Sequence, residues 1–276
     1  MSQQRSSWVK WVASGIVIAI AIGGLGFSAL AWLGAIVPIN QASGVAPSPT
    51  ATLSTQKLEE LEAQAKGYEL VVQREPQNEV ALRGLLETRL RLGDIQGSIS
   101  PLEQLAKLKP EQTDYAILLA QAKQHISDKE GAAQTYRSIL TSNPGNLDAL
   151  QGLVSLLIQE KRPEAAIGLL QDTLKTATPI NDIKPGTVDI TSVQLLLGQV
   201  YAIQKRYTQA IAIYDEAIKT NSQDFRPVLA KALILSEQGK VTDAKPLFTT
   251  AVSLAPAKYK DQVQQLANEA SQPKDS

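Results

Sequence analysis

Apolar residues recur three and four positions apart through most of the chain beyond residue 54, and the stripes they draw repeat with a period of about 34 residues. That spacing gathers the apolar side chains on one side of a helix, so it predicts a succession of amphipathic α-helices. The pattern is clearest over residues 191–257, where two units lie end to end. The first carries Leu197, Gly198, Tyr201, Ala210, Tyr214 and Ala217; the second, one period on, carries Lys231, Ala232, Leu235, Ala244, Phe248 and Ala251, then Pro256. Each unit reads as two antiparallel helices, about 192–204 and 207–220 in the first. Gly198 and Ala210 are small where two helices must cross, and Tyr214 and Phe248 are predicted to fill the space between neighbouring units. Neither unit buries its apolar face alone, so stacking makes the core.

Upstream, Pro76, Pro110 and Pro144 keep the same register. They bound a half repeat at 55–78, with its stripe at Leu58, Leu61, Ala65, Tyr68 and Val72, and repeats at 79–112, 113–146 and 147–180. The register then slips by ten at 181–190, a predicted insertion holding Lys184, Pro185 and Gly186. Such a loop serves either as a partner contact or as a tolerated surface insertion. Repeats at 191–224 and 225–258 follow, and 257–271 reads as a capping helix with Val263 and Leu266 inward and Lys258, Asp261 and Gln264 outward. A terminal repeat needs such a polar outer face.

The N-terminus breaks the pattern. Residues 1–11 are polar, with Arg5 and Lys10, and no charge occurs from Trp11 to Ile39. Residues 12–37 exceed the roughly 20 apolar residues that cross a bilayer, and Trp8, Trp11 and Trp32 suit its two interfaces. The run is longer than the core of a cleaved signal peptide, although Ala29-Leu30-Ala31 is an acceptable cleavage site. The expectation is therefore a single-pass membrane protein with a retained anchor at 12–37 and a cytoplasmic N-terminus set by Arg5 and Lys10. Residues 38–54, rich in Pro, Ser, Ala and Thr, read as a flexible linker.

Composition narrows the chemistry. The 27 basic and 27 acidic residues balance, which argues against a nucleic-acid partner. The chain has no Cys and one His, His125, so no thiol chemistry, Cys–metal site, His pair or triad is available. No enzyme activity, catalytic residue, metal or cofactor is expected, and binding remains as the function.

The set Leu197, Gly198, Tyr201, Ala210, Tyr214 and Ala217, repeated as Ala244, Phe248, Ala251 and Pro256, resembles the tetratricopeptide-repeat (TPR) family. The resemblance covers about 55–272 and implies an all-α fold, a helical-hairpin solenoid, here with an N-terminal transmembrane helix. It also implies a concave groove lined by the first helix of each repeat, where protein or peptide partners bind. Carried over position by position, the groove comprises Arg83, Glu87 and Arg91, then Gln121, Gln124 and His125, then Gln151, Ser155 and Gln159. Leu195, Gln199, Leu229 and Leu233 complete it, making its end apolar. The Lys and Asn pattern that grips chaperone carboxylates is missing. Residues 193–215 with 225–231 are also similar to membrane-anchored TPR proteins of cyanobacteria and chloroplasts, of the Pitt type. That likeness implies a thylakoid or plasma-membrane scaffold that helps photosynthetic complexes or pigment enzymes assemble. The competing expectation is a structural protein that self-associates and holds no client.

Overall fold

The computed structural model describes residues 55–270; the predicted N-terminus at 1–11, the anchor at 12–37, the linker at 38–54 and residues 271–276 lie outside the described residues. Among the described residues no helix is long and apolar enough to cross a membrane. The described residues form twelve helices: α1 Thr55–Arg74, α2 Glu79–Arg91, α3 Ile95–Leu108, α4 Thr113–His125, α5 Lys129–Ser142, α6 Leu147–Gln159, α7 Pro163–Ile183, α8 Ile190–Ile203, α9 Tyr207–Thr220, α10 Phe225–Glu237, α11 Val241–Leu254 and α12 Ala257–Ala270. They form two compact units, one at 55–143 and one at 144–270.

In the first unit each helix packs on the next, α1 through α5. The core gathers Leu82 and Leu86 of α2, Leu102 and Leu105 of α3, and Tyr115, Leu118 and Leu119 of α4. Tyr68 of α1 lies where a Cβ at position 84 would have to go, so Gly84 lets α1 approach α2 closely. Arg89 of α2 reaches both Glu69 of α1 and, at 2.5 Å, Asp94 at the start of α3. Burial opposes its charge, but the hydrogen bonds and charges of the two carboxylates outweigh that and raise its pKa above the usual guanidinium value.

In the second unit, hairpins α6–α7, α8–α9 and α10–α11 stack, and α12 packs on both α10 and α11. Ala210, Tyr214, Ala217, Ala244 and Ala251 have no exposed surface, and Phe248 is buried. The Tyr214 ring lies against Gly198 of its own hairpin. A Cβ on Gly198 would overlap that ring, so the spacing of α8 from α9 depends on the glycine. Tyr201 is buried as well, and its hydroxyl accepts a hydrogen bond from Gln171 of α7 at 3.1 Å. Pro256, exposed, separates α11 from α12.

The turn inside every hairpin closes the same way. Gly93, Ser127, Lys161, Lys205 and Gly239 all hold a left-handed φ, between 56° and 77°. They recur at the period of the repeat, except that the step from 161 to 205 is ten longer. At Lys205, its N–H donates to Ala202 O at 2.8 Å and the next N–H, of Arg206, donates to Tyr201 O at 2.9 Å. These bonds satisfy carbonyls at the helix end that would otherwise lack a partner. A lysine in this conformation crowds its own carbonyl, whereas glycine does not. Lys205→Gly is therefore expected to stabilise the protein by about 1 kcal/mol, read as a higher midpoint in thermal unfolding; Gly239→Ala should move it the other way.

The ten extra residues are not a projecting loop of that length. Where the sequence predicts an insertion at 181–190, α7 runs on through Pro179 to Ile183, and only residues 184–189 are non-helical. Ala177, inside the lengthened α7, is fully buried. The Asn181 amide then closes the segment, donating to Val188 O and accepting from Val188 N, both at 2.9 Å. Val188 is buried, and the Thr187 carbonyl sits where a Cβ at Gly145 would be. The insertion is thus absorbed by a longer helix and a turn folded back on the segment before α6.

Candidate protein-binding faces

The first helix of each hairpin carries the candidate residues, and the helix ends place them. Asn78 caps α2 by accepting from Ala81 N at 3.0 Å, and Asn146 caps α6 through Ala149 N at 2.9 Å. Asp189 caps α8 through Ser192 N at 3.1 Å, and Asp224 caps α10 through Arg226 N at 2.9 Å. Each cap fixes where its helix starts and hence which residues share a face. The cap at Asp189 starts α8 at Ile190, two residues before the sequence-based start.

In the first unit the face of α2 presents charge that is already partnered. Arg83 pairs with Glu79, which also takes Lys109 at 3.0 Å, and Glu87 pairs with Arg91 one turn on. Arg91 remains exposed. On α4, Gln121 is half-buried, while Gln124 accepts a hydrogen bond from the Tyr136 hydroxyl of α5 at 2.8 Å. Gln124 therefore helps hold α4 to α5, and His125 at the helix end is the open position.

In the second unit α6 keeps its polar positions outward. Ser155 and Gln159 are exposed and joined at 3.3 Å, and Gln151 is half-buried. The face changes at α8 and α10. Leu195, Leu229 and Leu233 have 3%, 0% and 4% of their surface exposed, so the apolar residues predicted to line an open groove are packing residues. The reason is that the first helices touch: α8 packs on α6 and α10, and α10 packs on α12. Gln199 of α8 stays half-buried. The candidates are also divided between units, with those on α2 and α4 in one and those on α6, α8 and α10 in the other.

The contact between α8 and α10 contains a polar cluster that the spacing of hydrophobic residues does not disclose. Arg226 makes three hydrogen bonds to Asp224, from Nε at 3.0 Å to each oxygen and from Nη2 at 2.6 Å. Its Nη1 reaches Ser192 Oγ at 3.2 Å, and Ser192 Oγ donates to Asp189 at 2.6 Å. Burial disfavours the Arg226 charge, but Asp224 and then Asp189 outweigh it, so its pKa rises. The sequence signal for this link is positional: Ser192 and Arg226 are one repeat period apart and occupy equivalent sites.

Ten of the twelve described helices, α2 to α11, pair into five hairpins with a left-handed residue recurring in each turn, and these can be set beside known repeats. Two stretches match tetratricopeptide-repeat models. They are residues 128–179 and residues 191–224. The fold agrees with that of yeast Tom70, at a TM-score of 0.52 and 12% identity, over 80% of this chain and 44% of that one. Residues 128–179 and 191–224 thus match tetratricopeptide repeats within an all-α array of helical hairpins. Among curated proteins it is similar to protein SLOW GREEN 1, chloroplastic, of Arabidopsis thaliana, at 27% identity over 184 residues, which is 67% of this chain and 57% of that protein. It is also similar to cellulose synthase operon protein C of Pseudomonas fluorescens (strain SBW25), at 31% identity over 113 residues, 39% of this chain and 9% of that protein. The chain thus spans less than two thirds of the length of both relatives.

Proposed function

We propose that the chain is a membrane-tethered TPR scaffold that binds protein partners and serves in the assembly of photosynthetic membrane complexes or pigment enzymes. The observation that carries the binding role is the array itself. Its apolar positions are spent on packing hairpins together, while Arg91, His125, Ser155 and Gln159 stay open on first helices. The apolar run at 12–37 supports the tether, and the likeness to a chloroplast protein supports the photosynthetic setting. A tether confines these faces to one membrane surface and raises their effective concentration for clients there. Exposed amides and charges suit an extended peptide, whose backbone groups they can hydrogen-bond.

The test is cross-linking of the tagged full-length protein in its native membrane, followed by identification of what co-purifies, with Arg91→Glu/His125→Glu as the comparison. Both positions are exposed, so the double substitution is expected to leave the fold intact, at a cost of about 1 kcal/mol from the lost Arg91–Glu87 pair and from acids at two helix C-termini. A client recovered with the wild type and lost from the variant supports the scaffold. Recovery of only the protein itself, equally in both, supports the self-associating alternative.

A further inference from the structure

The turns of the second unit hold residues that work against the stability of the fold. Lys161 and Lys205 take left-handed φ values of 58° and 56°, at the register position where Gly93 and Gly239 do so without crowding. The position after each of these begins the second helix. In residues 55–143 it is Asp94 and Asp128, whose carboxylates accept from Gly97 N at 2.8 Å and Gly131 N at 2.9 Å. In residues 144–270 it is Arg162, Arg206 and Lys240, which make no side-chain capping bond. There a cation also faces the positive end of the helix dipole. Cations therefore stand at three successive turns where glycine or a capping acid would give a more stable protein. Backbone strain retained at two of these turns motivates a functional reading of the edge.

The turns form one edge. Arg206 of the α8–α9 turn bonds Glu164 of α7 at 2.7 Å, and the Tyr207 hydroxyl of α9 donates to Glu237 of α10 at 3.0 Å. Two of the local acids are ion-paired, Glu160 with Arg162 at 3.5 Å and Glu164 with Arg206, while Glu237 accepts from the Tyr207 hydroxyl and keeps its charge. Asp243 lies in the first turn of α11, where a negative charge suits the helix dipole. Lys161, Lys205 and Lys240 are exposed and make no ion pair among the described residues.

We propose that this edge, through the unpaired Lys161, Lys205 and Lys240, docks an extended acidic segment of a protein partner. The lysines recur once per turn on three successive hairpins, which complements a linear chain of carboxylates; a bilayer would ask for cations spread over a plane. The proposal rests on the protein-binding reading above and adds the chemistry of the partner.

A fluorescein-labelled Glu-Ser repeat peptide is the probe, titrated into the full-length protein in neutral detergent. Two variants, Lys161→Gly/Lys205→Gly and Arg162→Asp/Lys240→Asp, remove or reverse the edge charge while relieving the turns or restoring the caps. Both are expected to unfold at a higher temperature than the wild type and to bind the peptide about tenfold more weakly at low salt, with a shallower salt dependence. Gain of stability together with loss of affinity excludes misfolding as the cause. The proposal is overturned if the wild type does not bind the peptide, if both variants bind it equally well, or if phosphatidylserine vesicles compete it off at the same charge concentration. A native client lost with Arg91→Glu/His125→Glu but kept by the turn variants would also overturn it, and would leave the scaffold reading standing.

Discussion

Leu229→Ala is expected to destabilise the second unit by about 2–5 kcal/mol, the range for truncating a leucine in a core that relaxes only partly. Leu229 has no exposed surface and sits on α10, the helix that meets α8, α9, α11 and α12. A residue lining an open groove would behave differently: truncation would weaken a partner and leave unfolding almost unchanged. Hydrogen exchange on the full-length protein separates the two outcomes. Amides of α8, α10 and α12 should lose protection in the variant. Those of the first unit report whether the loss stays local, which matters because a two-unit array need not unfold in one step.

Asp224→Ala carries the second large effect, about 3–5 kcal/mol, because it removes one partner of a largely buried ion pair. Asp224 is 8% exposed and Arg226 15% exposed in the side chain. The substitution also removes the α10 cap, which by itself is worth about 1 kcal/mol. Arg226 would keep the 3.2 Å bond to Ser192 Oγ and the more distant charge of Asp189. Adding Arg226→Met to Asp224→Ala should restore part of the loss, since no cation is then left buried without its acid. A double-mutant cycle by chemical denaturation checks this: purely additive effects would mean that the pair contributes only through the cap.

Much of the fold is legible in the sequence because each helix has to bury a stripe, and a stripe has a period. Gly198 with Tyr214, and the alanines at 210, 217, 244 and 251, mark close approaches that only small residues permit, and all are buried. The candidate faces are less legible. A leucine at a first-helix position, such as Leu195 or Leu233, has the same spacing whether it meets solvent, a peptide or the next helix. What decides is how closely α8, α10 and α12 approach one another, and that depends on the whole unit. The division at residue 143 leaves no mark either, since Pro144 keeps the register of Pro76 and Pro110. The cluster around Arg226 is hidden because polar contacts between equivalent repeat positions have no hydrophobic signature. The insertion reads as a loop because Lys184, Pro185 and Gly186 are turn formers; the residues before them continue the helix instead.

The lengthened α7 has a practical consequence. At about 1.5 Å per residue its 21 residues span roughly 31 Å, against roughly 21 Å for the 14 residues of α9 or α11. Its last residue, Ile183, is 88% exposed, and the sequence contains no cysteine. Ile183→Cys would thus create the chain's single thiol, at the end of α7 remote from its start beside Arg162. A dye or spin label coupled there reports distance to a bound partner without touching a helix contact, which turns the extension into a fixed reference point on the protein.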